Sequence, residues 1–289
     1  MDDGPFVTHR NLLFTVAYEI LGSAADADDV VQEAWLRWAE VDHEQVRDAR
    51  AYAVRIVTRQ ALNRVRTMAR RRENYVGPWL PEPVLTSPDV AEEVELAESV
   101  SLALLTVLQT LQPTERAVFV LREVFAFDYT EIADAVGRTP SAVRQLAYRA
   151  RQHVAARRPR NRVDPVEQRE VLERFAAAVS AGQIQELMEV LAPDVVLITD
   201  GGGRAKAALH PLHGAGKVAR FLLGVARQTS ELSATTVWVN GMPGLRVEQA
   251  GELDSIVSAH VAAGALAGIY LVRNPGKLTH VGHITPLSR

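Results

Sequence analysis

The 289-residue sequence contains no cysteine, and this absence excludes several kinds of chemistry. Without cysteine there is no disulfide, no thiolate metal site and no cysteine nucleophile. Such a composition suits a reducing compartment, and we expect a cytoplasmic location. Long apolar runs are also missing, because residues 261–272 are too few to cross a bilayer and include Gly264 and Gly268. The first ten residues do not resemble a secretory signal, so we expect no membrane contact.

A strong net charge is absent as well, since the formal value is only −3. The charges are nevertheless segregated along the chain. Residues 47–72 contain nine arginines and one acid, residues 138–162 contain eight arginines and no acid, and residues 82–98 contain six acids and no base. Two basic segments on either side of an acidic connector are expected when two modules of one protein touch DNA at separate places. For either segment alone, a solvated basic surface is the simpler alternative.

Residues 113–153 predict a helix-turn-helix. Asp128 with Glu131 three residues later predicts a capped first helix, and Gly137 allows the chain to turn. Thr139 and Pro140 then predict the start of a second helix. Apolar residues at helical spacing give this second helix a core side and leave a polar side. The polar side carries Arg144, Gln145, Tyr148, Arg149 and Arg151.

These five polar residues are the predicted DNA contacts of the second helix. Arginine and glutamine donate hydrogen bonds in patterns that match the edges of guanine and adenine in the major groove. Additional arginines hold phosphates. The alternative is an ordinary helical hairpin whose basic face contacts only solvent.

A long arginine-rich helix is predicted from residue 49 to about residue 72. Its buried stripe is apolar, while basic and amide side chains recur on another face at steps of three and four residues. Like charges at that spacing repel, and a polyanion relieves the repulsion, so we predict a second DNA contact here. The residues of this face are Arg55, Arg59, Asn63, Arg66 and Arg70.

The preceding helix, near residues 25–41, predicts an apolar inner face that includes Trp35 and Trp38. Asp26 and several other polar residues are left outside. The structural explanation for these acidic residues is that the helix dipole favours negative charge near the start of a helix. A protein-binding face is the alternative, and its candidate residues are Asp28, Asp29, Gln32 and Glu33.

Residues 75–89 contain four prolines and one glycine and predict an extended linker. Tyr75, Val76, Trp79 and Leu80 are too apolar for a free linker, so we expect this segment to lie in a groove of the same protein. A single helix is predicted from residue 90 to residue 111, and an arginine-rich second linker from residue 156 to residue 165.

The order of these parts resembles an extracytoplasmic-function (ECF) sigma factor of bacterial RNA polymerase. DADDVVQEAWLRW, from Asp26, resembles the polymerase-clamp helix, and the arginine-rich helix resembles the promoter-melting and minus-ten region. The segment from LQPTERAVF through the helix-turn-helix resembles the domain that reads the minus-thirty-five element. The resemblance implies binding to core RNA polymerase and promoter DNA, with Asp28, Asp29, Gln32 and Glu33 on the clamp.

The linker sequence YVGPWLPEP is similar to that of SigJ-type sigma factors, which carry a C-terminal SnoaL-like domain. TDGGGRAKA and RNPGKL, at residues 199–207 and 273–278, agree with this subgroup, although Arg204, Gly276 and Asn63 depart from its usual residues. The resemblance implies an intramolecular, regulatory contact of the C-terminal domain with the sigma domains or their linker. The residues of this contact are Tyr75, Val76, Trp79, Asp200, Gly201, Gly202, Gly203, Asn274, Pro275, Lys277 and Leu278.

The C-terminal part predicts two helices, near residues 172–182 and 184–191, then a first strand, a third helix near residues 215–227 and the remaining strands. Strands are predicted at residues 194–199, 232–239, 245–249, 255–261 and 265–272. This order indicates an α+β fold. The resemblance implies a SnoaL-like cone, in which a curved antiparallel sheet wraps round helices. The complete fold prediction is two all-α sigma domains, residues 1–74 and 90–160, joined by the 75–89 linker and followed by the cone, residues 164–289.

Acid–base groups in the cone are the candidates for catalysis. They are Asp200, His210, His213, His260, His280 and His283. Histidines satisfied by the core or the surface are the simpler interpretation, and the triple glycine lacks the lysine and hydroxyl residue of a phosphate loop. We therefore expect no catalytic residue, no metal site and no cofactor.

The sequence thus predicts a sigma factor that directs promoter-specific initiation and is not an enzyme. Two alternatives remain open at this point. One is a helix-turn-helix regulator that acts without polymerase. The other is a working SnoaL-like enzyme fused to a DNA-binding module.

Overall fold

The structure is a computed structural model that describes residues 4–157, 163–229 and 231–289, without the side chains of residues 70, 71 and 92. Residues 158–162 of the predicted second linker lie outside this part. In the part that is described, no helix combines the length and apolar character needed to cross a membrane.

The first helical group contains α1 (Gly4–Thr8), α2 (Arg10–Leu21), α3 (Ala24–Ala39) and α4 (Ala49–Glu73). The predicted helices in this region are confirmed to within a few residues. Asp48 caps α4 by accepting a hydrogen bond from the Ala51 amide at 2.9 Å. The prediction for Trp35 was wrong, since its side chain is 38% exposed whereas Trp38 is buried. Trp35 and Trp38 are three residues apart, which is a rotation of about 300° around the helix axis. Their side chains therefore point in directions about 60° apart.

The second helical group contains α5 (Asp89–Glu92), α6 (Val94–Val100), α7 (Leu102–Leu108), α8 (Pro113–Phe119), α9 (Tyr129–Val136) and α10 (Pro140–Ala155). The single helix predicted for residues 90–111 was wrong, because the chain breaks at Glu93 and at Ser101. Ser101 has the extended backbone of an N-cap, and its hydroxyl accepts the Leu104 amide at 3.2 Å. A side-chain cap of this kind competes with continuation of the helix.

The C-terminal part contains α11 (Pro165–Ser180), α12 (Ile184–Val190) and α13 (Ala215–Gln228) against one sheet. Its strands are β1 (Leu191–Asp200), β2 (Leu212–His213), β3 (Leu232–Val239), β4 (Met242–Gln249), β5 (Glu252–Ala262) and β6 (Ala265–Val272). Across the described residues the strand order is β2-β1-β6-β5-β4-β3. The predicted α+β cone is confirmed.

The prediction of an antiparallel sheet requires one correction. Strands β3 to β6 form an antiparallel meander, but β1 pairs with β6 in parallel, with Leu197 opposite Ile269. A parallel pair requires a long crossover between its strands, and here α13 and the meander provide it. The sheet is therefore mixed.

Both faces of this sheet are buried. One face packs with the helices of the cone and includes Leu197, Val257 and Ile269. The opposite face includes Ile256 and Val272, and it packs with Leu80 of the linker and with Leu102 of α7. Side chains alternate between the faces along a strand, so each strand contributes to both cores. The cone is consequently joined to the sigma domains through an apolar interface.

The two helical groups share a single apolar core. At their junction Glu19 of α2 is completely buried, and the Ser99 hydroxyl of α6 donates to its Oε1 atom at 2.7 Å. The Oε2 atom has no hydrogen-bond partner among the described residues. Burial raises the pKa of Glu19 from 4.5 to about 8, against the lowering effects of Ser99 and Arg289. Glu19 is therefore protonated in the folded protein at neutral pH.

We predict that the contribution of Glu19 to the stability of the chain falls as the pH rises from about 5 to about 8. The folded state binds a proton at Glu19 that the unfolded chain has already released, so the stabilisation is lost as the pH approaches the folded pKa. Glu19→Gln replaces the protonated acid with a neutral amide. In urea unfolding, the free energy of unfolding of the variant should increase relative to that of the wild type by up to about 1.4 kcal/mol per pH unit in this range.

Glu40→Gln is the control for that experiment, because Glu40 is exposed beyond the end of α3. Its unfolding curve should follow the wild type at each pH. Parallel pH dependences for Glu19→Gln and the wild type would contradict the assignment of a protonated Glu19.

Candidate nucleic-acid interface and linker-binding site

The helix-turn-helix forms as the sequence predicts. A capping box begins α9, in which the Asp128 amide donates to Glu131 Oε2 at 2.9 Å. Gly137 ends α9 in the left-handed region, with φ 67°. Thr139 Oγ1 accepts the Ala142 amide at 3.3 Å and so caps α10. These local interactions fix the start of the helix that presents the predicted base-reading residues.

The five predicted contacts of α10 are all exposed, but they differ in their neighbours. Arg149 and Arg151 form ion pairs with Glu115 and Glu123 at 3.0 and 3.7 Å. Arg144 lies over the ring of Tyr129, 5.4 Å from its centroid. Gln145 and Tyr148 are also exposed, Tyr148 to 60%. The face formed by Arg144, Gln145 and Tyr148 is therefore the better placed to meet DNA.

Arg59 of α4 is exposed but also contacts the other helical group. Its guanidinium donates to the carbonyl oxygens of Asp134 and Ala135, at 2.7 and 3.4 Å, in the last turn of α9. A cation is favoured there because the C-terminal carbonyls of a helix carry partial negative charge. Arg50 contributes to the same contact by stacking on Phe127 at 4.7 Å. Part of the predicted minus-ten face is thus covered by the helix-turn-helix.

The rest of that face is available to solvent or held locally. Arg55 lies on the ring of Tyr52 at 4.4 Å, and Arg66 donates to Asn63 at 3.3 Å. Both Asn63 and Arg66 are exposed. The side chain of Arg70 lies outside the described residues.

The acidic residues of α3 surround Arg64 of α4. This guanidinium binds Asp26, Asp29 and Glu33 at 3.0, 3.2 and 2.6 Å. Asp26 was predicted to lie outside, but only 8% of it is exposed, because it also accepts a hydrogen bond from Ser23.

The outer residues of α3 border an exposed apolar surface. Gln32 is exposed, and Asp28 lies 3.4 Å from Arg10 and 3.6 Å from His280. Beside them Val7 and Trp35 line a shallow groove. Gln32 and this groove are thus an accessible part of the predicted polymerase-binding face that is not tied to Arg64.

The linker is held by a buried cluster centred on Asp200, which is completely inaccessible to solvent. Tyr75 donates its hydroxyl proton to Asp200 Oδ1. The Leu80 amide donates to Oδ2 at 2.8 Å, and Lys277 Nζ donates to the same oxygen at 2.7 Å. Asn274 completes the cluster by donating to the Tyr75 oxygen at 2.8 Å.

The ammonium group of Lys277 has further contacts with the linker. It donates to the Leu80 carbonyl at 2.5 Å and lies 3.3 Å from the ring centroid of Trp79. Burial lowers the pKa of Lys277 to about 8, while Asp200 acts in the opposite direction. Burial and the neighbouring Asp200 raise the pKa of Tyr75, which therefore stays protonated and donates.

Two of the three glycines are needed for the linker to come this close. Gly202 has φ 57°, and a Cβ atom there would lie 2.2 Å from Asn274 Nδ2 and 2.8 Å from the Tyr75 hydroxyl. At Gly203 a Cβ atom would lie 3.2 Å from Val76. The remaining predicted residues fall in the same region, with Leu278 buried against Leu80 and Pro275 beginning a short 3-10 turn.

Asn240 is a functional candidate that the sequence analysis missed. It lies at the tip of the β3–β4 hairpin and is completely buried. Its side chain accepts from the Val84 amide at 3.2 Å and donates to Tyr18 at 2.7 Å and to the Val100 carbonyl at 2.8 Å. One side chain thereby joins the cone, the linker and both helical groups. The Asn-Gly pair between two strands signals the turn, but not these distant contacts.

Of the catalytic candidates of the cone, His280 and His283 lie near each other, with ring centroids 6.2 Å apart, and His280 faces Asp28 of α3. His210 and His213 are exposed, and burial lowers the pKa of His260. Among the described residues, no group of three or more metal-ligating side chains is placed to hold an ion. Asp200 is used by the linker cluster.

Comparison with known proteins gives the family. Residues 6–72 match Sigma-70 region 2, and residues 101–154 match Sigma-70, region 4. The chain is 36% identical over 297 residues to the ECF RNA polymerase sigma factor SigJ of Mycobacterium tuberculosis, across 96% of this chain and 94% of that protein. The chain belongs to the ECF RNA polymerase sigma factors.

A solved structure of SigJ and one further relative agree with this family. The crystal structure of M. tuberculosis SigJ superimposes with a TM-score of 0.78 at 34% identity, covering 96% of this chain and 98% of that one. A probable ECF sigma factor, SigI of M. tuberculosis, is 36% identical over 190 residues, which is 65% of this chain and 66% of SigI. The predicted family is confirmed, while the roles of individual residues stay predictions.

We predict that Gly202→Ala loosens the linker whereas Gly251→Ala does not. Both glycines have positive φ, so both variants carry a similar backbone strain, but nothing lies within 4 Å of a Cβ at Gly251. Overpacking at Gly202 should displace Tyr75 and speed proteolysis within residues 75–89 by about tenfold. Equal cleavage rates in the two variants would contradict the close approach of the glycine loop to the linker.

Proposed function

We propose that this ECF sigma factor binds core RNA polymerase and directs it to specific promoters. The observation that carries the proposal is the identity with SigJ over almost the whole chain, which includes both sigma regions. The exposed face of α10 supports it, because forked and amide donors there have the geometry for base edges. We further propose that the protein is not an enzyme and acts in the cytoplasm, together with the polymerase.

The minus-thirty-five element is assigned to α10. Arg144, Gln145 and Tyr148 would read bases, while Arg149 and Arg151 would hold phosphates after exchanging their ion pairs with acids. The minus-ten element is assigned to α4 through Arg55, Arg59, Asn63 and Arg66. Gln32 and the groove beside it are the proposed contact with the polymerase clamp.

The packed arrangement of α4 and α9 would then be a resting state. Promoter elements about 25 base pairs apart are separated by roughly 80 Å along B-DNA. Helices in direct contact cannot reach both elements at once. The Arg59 contact with the last turn of α9 must therefore break before α4 and α10 engage one promoter.

The cone would control this opening through the linker. One end of the linker is bound at Asp200, and its middle pairs with the β3–β4 hairpin, where Leu85 lies opposite Val239. Asn240 adds hydrogen bonds to Tyr18 and Val100, one in each helical group. Release of the linker would free the two groups to move apart.

We predict that a disulfide between Leu85→Cys and Val239→Cys blocks transcription reversibly. The flanking bonds, Thr86 N to Trp238 O and Asn240 N to Val84 O, make this a non-hydrogen-bonded pair, whose Cα atoms lie about 4.5 Å apart. That spacing suits a disulfide. The chain has no other cysteine, so the bond would form only there.

The reduced double variant is the matched control for this experiment. In reconstituted transcription with core polymerase, oxidation should abolish specific transcripts and a thiol reductant should restore them. Equal transcription by the oxidised and reduced forms would show that the linker need not leave the hairpin.

We predict that Arg144→Ala weakens transcription from a specific promoter without a similar loss of general DNA binding. Loss of one base contact should reduce promoter use by about tenfold or more and relax sequence preference at one position. The readout is transcription from a pool of promoter fragments. Arg220→Ala, an exposed arginine on α13, is the control for net charge.

A uniform loss on all sequences would remove Arg144 from the base-reading residues. If the wild-type chain neither binds core polymerase nor gives it promoter selectivity, the proposed function is wrong. A helix-turn-helix regulator that acts alone would then be the better account.

A further inference from the structure

The cone encloses a cavity that the linker contacts do not use. Its volume is about 100 Å³, and it lies between α11, α13 and the concave face of the sheet. Phe175, Val179, Phe221, Val247 and Leu271 are among the side chains of its wall. Several of these apolar side chains are only half-buried although they point into the domain, because the cavity exposes them.

The wall offers almost no free polar group. The Thr199 hydroxyl is used by Ala208, whose amide donates to it at 2.7 Å and whose carbonyl accepts from it at 3.2 Å. Within the described residues, no buried side-chain atom that lacks a hydrogen-bond partner belongs to this wall. The cavity therefore suits a mainly apolar group.

The wall also includes three charged residues, Lys206, Asp254 and Arg273. Arg273 binds both oxygens of Asp254, at 3.1 and 2.5 Å, and these two charges balance each other. Arg273 also donates to the Lys206 carbonyl at 2.8 Å. The Lys206 side chain is exposed and has no partner among the described residues. The ammonium group of Lys206 is thus a positive charge without a counter-charge in the described part of the chain, and it lies beside an apolar cavity.

We propose that this cavity binds a small organic acid, with its apolar body inside the cone and its carboxylate at Lys206. An engineered protein cavity of about 150 Å³ accommodates benzene and this one has about 100 Å³, so the body should be no larger than one ring or a short alkyl chain. Apolar burial supplies affinity, and the lysine selects an acid over a neutral molecule of the same shape.

The sheet gives this site a route to the linker, and this step rests on the proposed regulatory function. Thr199 and Arg273 line the cavity, whereas the next residue of each segment, Asp200 and Asn274, holds Tyr75 on the opposite face. Thr199 and Asp200 are neighbours in β1 and point to opposite faces, so a shift of Thr199 caused by an occupant would be passed to Asp200 through the strand. Binding in the cone would therefore change how the linker is held.

Binding is tested by calorimetry on the full chain with benzoate and hexanoate, and with benzyl alcohol as the neutral analogue of benzoate. We expect both acids to bind with one site per chain and the alcohol to bind more weakly. Lys206→Gln should lower the affinity for benzoate by about 5- to 10-fold and leave that for benzyl alcohol unchanged. Lys217→Gln, at an exposed lysine of α13 outside the cavity, is the matched control.

A second pair of variants tests the location. Val225→Phe and Ala176→Leu fill the cavity from different helices, and either should abolish binding of both acids while the fold is kept. Absence of binding by both acids would overturn the proposal. The proposal would also be overturned if neither Lys206→Gln nor the two filling variants changed the affinity for the acids.

The regulatory step has a separate readout. Saturating benzoate should alter the rate of proteolysis within residues 75–89, and Val225→Phe should remove that response. Binding without any effect on the linker would leave the binding site standing and refute its coupling to regulation. Neither result depends on whether core polymerase recognises the chain.

Discussion

The arrangement of the three parts depends on the buried carboxylate of Asp200. A charged carboxylate without access to water is costly unless it is paired and fully hydrogen-bonded. Here Tyr75, the Leu80 amide and Lys277 supply the donors, and two of these three belong to the linker. If the linker left, the Asp200 carboxylate and the Lys277 ammonium group would lose hydrogen-bond partners. The docked linker therefore contributes to the stability of the cone.

The linker is held differently at its two halves. Around Asp200 the contacts are charged and aromatic, with Lys277 on the ring of Trp79. Near Leu85 they are main-chain bonds of a strand, which the β3–β4 hairpin and Ile284 near the C-terminus provide. When strand pairing of this kind breaks, its hydrogen bonds are replaced by hydrogen bonds with water, so the net cost of each is small. The charged contacts at Asp200 are therefore costlier to break than the main-chain bonds near Leu85, while Asn240 adds a side-chain bond to the Val84 amide there.

Arginines have two uses in this protein. Arg64 collects three carboxylates of α3 and so fixes the first helical group, and Arg59 ties that group to α9. A guanidinium exposed at a surface exchanges such partners for phosphates with a modest change in free energy, since surface ion pairs are weak. The same face of α4 can therefore serve a packed state and a DNA-bound state.

The helix-turn-helix, the long α4 and the hairpin strands were predictable from the sequence, because caps, turns and periodicity act between residues close in the chain. Asp128, Gly137 and Thr139 determine α9 and α10 wherever the module lies. Sequence patterns did not reveal the parallel pairing of β1 with β6 or the role of Asn240, because these contacts join residues far apart. Only the tertiary structure decided which arginines are exposed and which contact acids or carbonyl oxygens, since a helical wheel gives a direction for a side chain but not its neighbour.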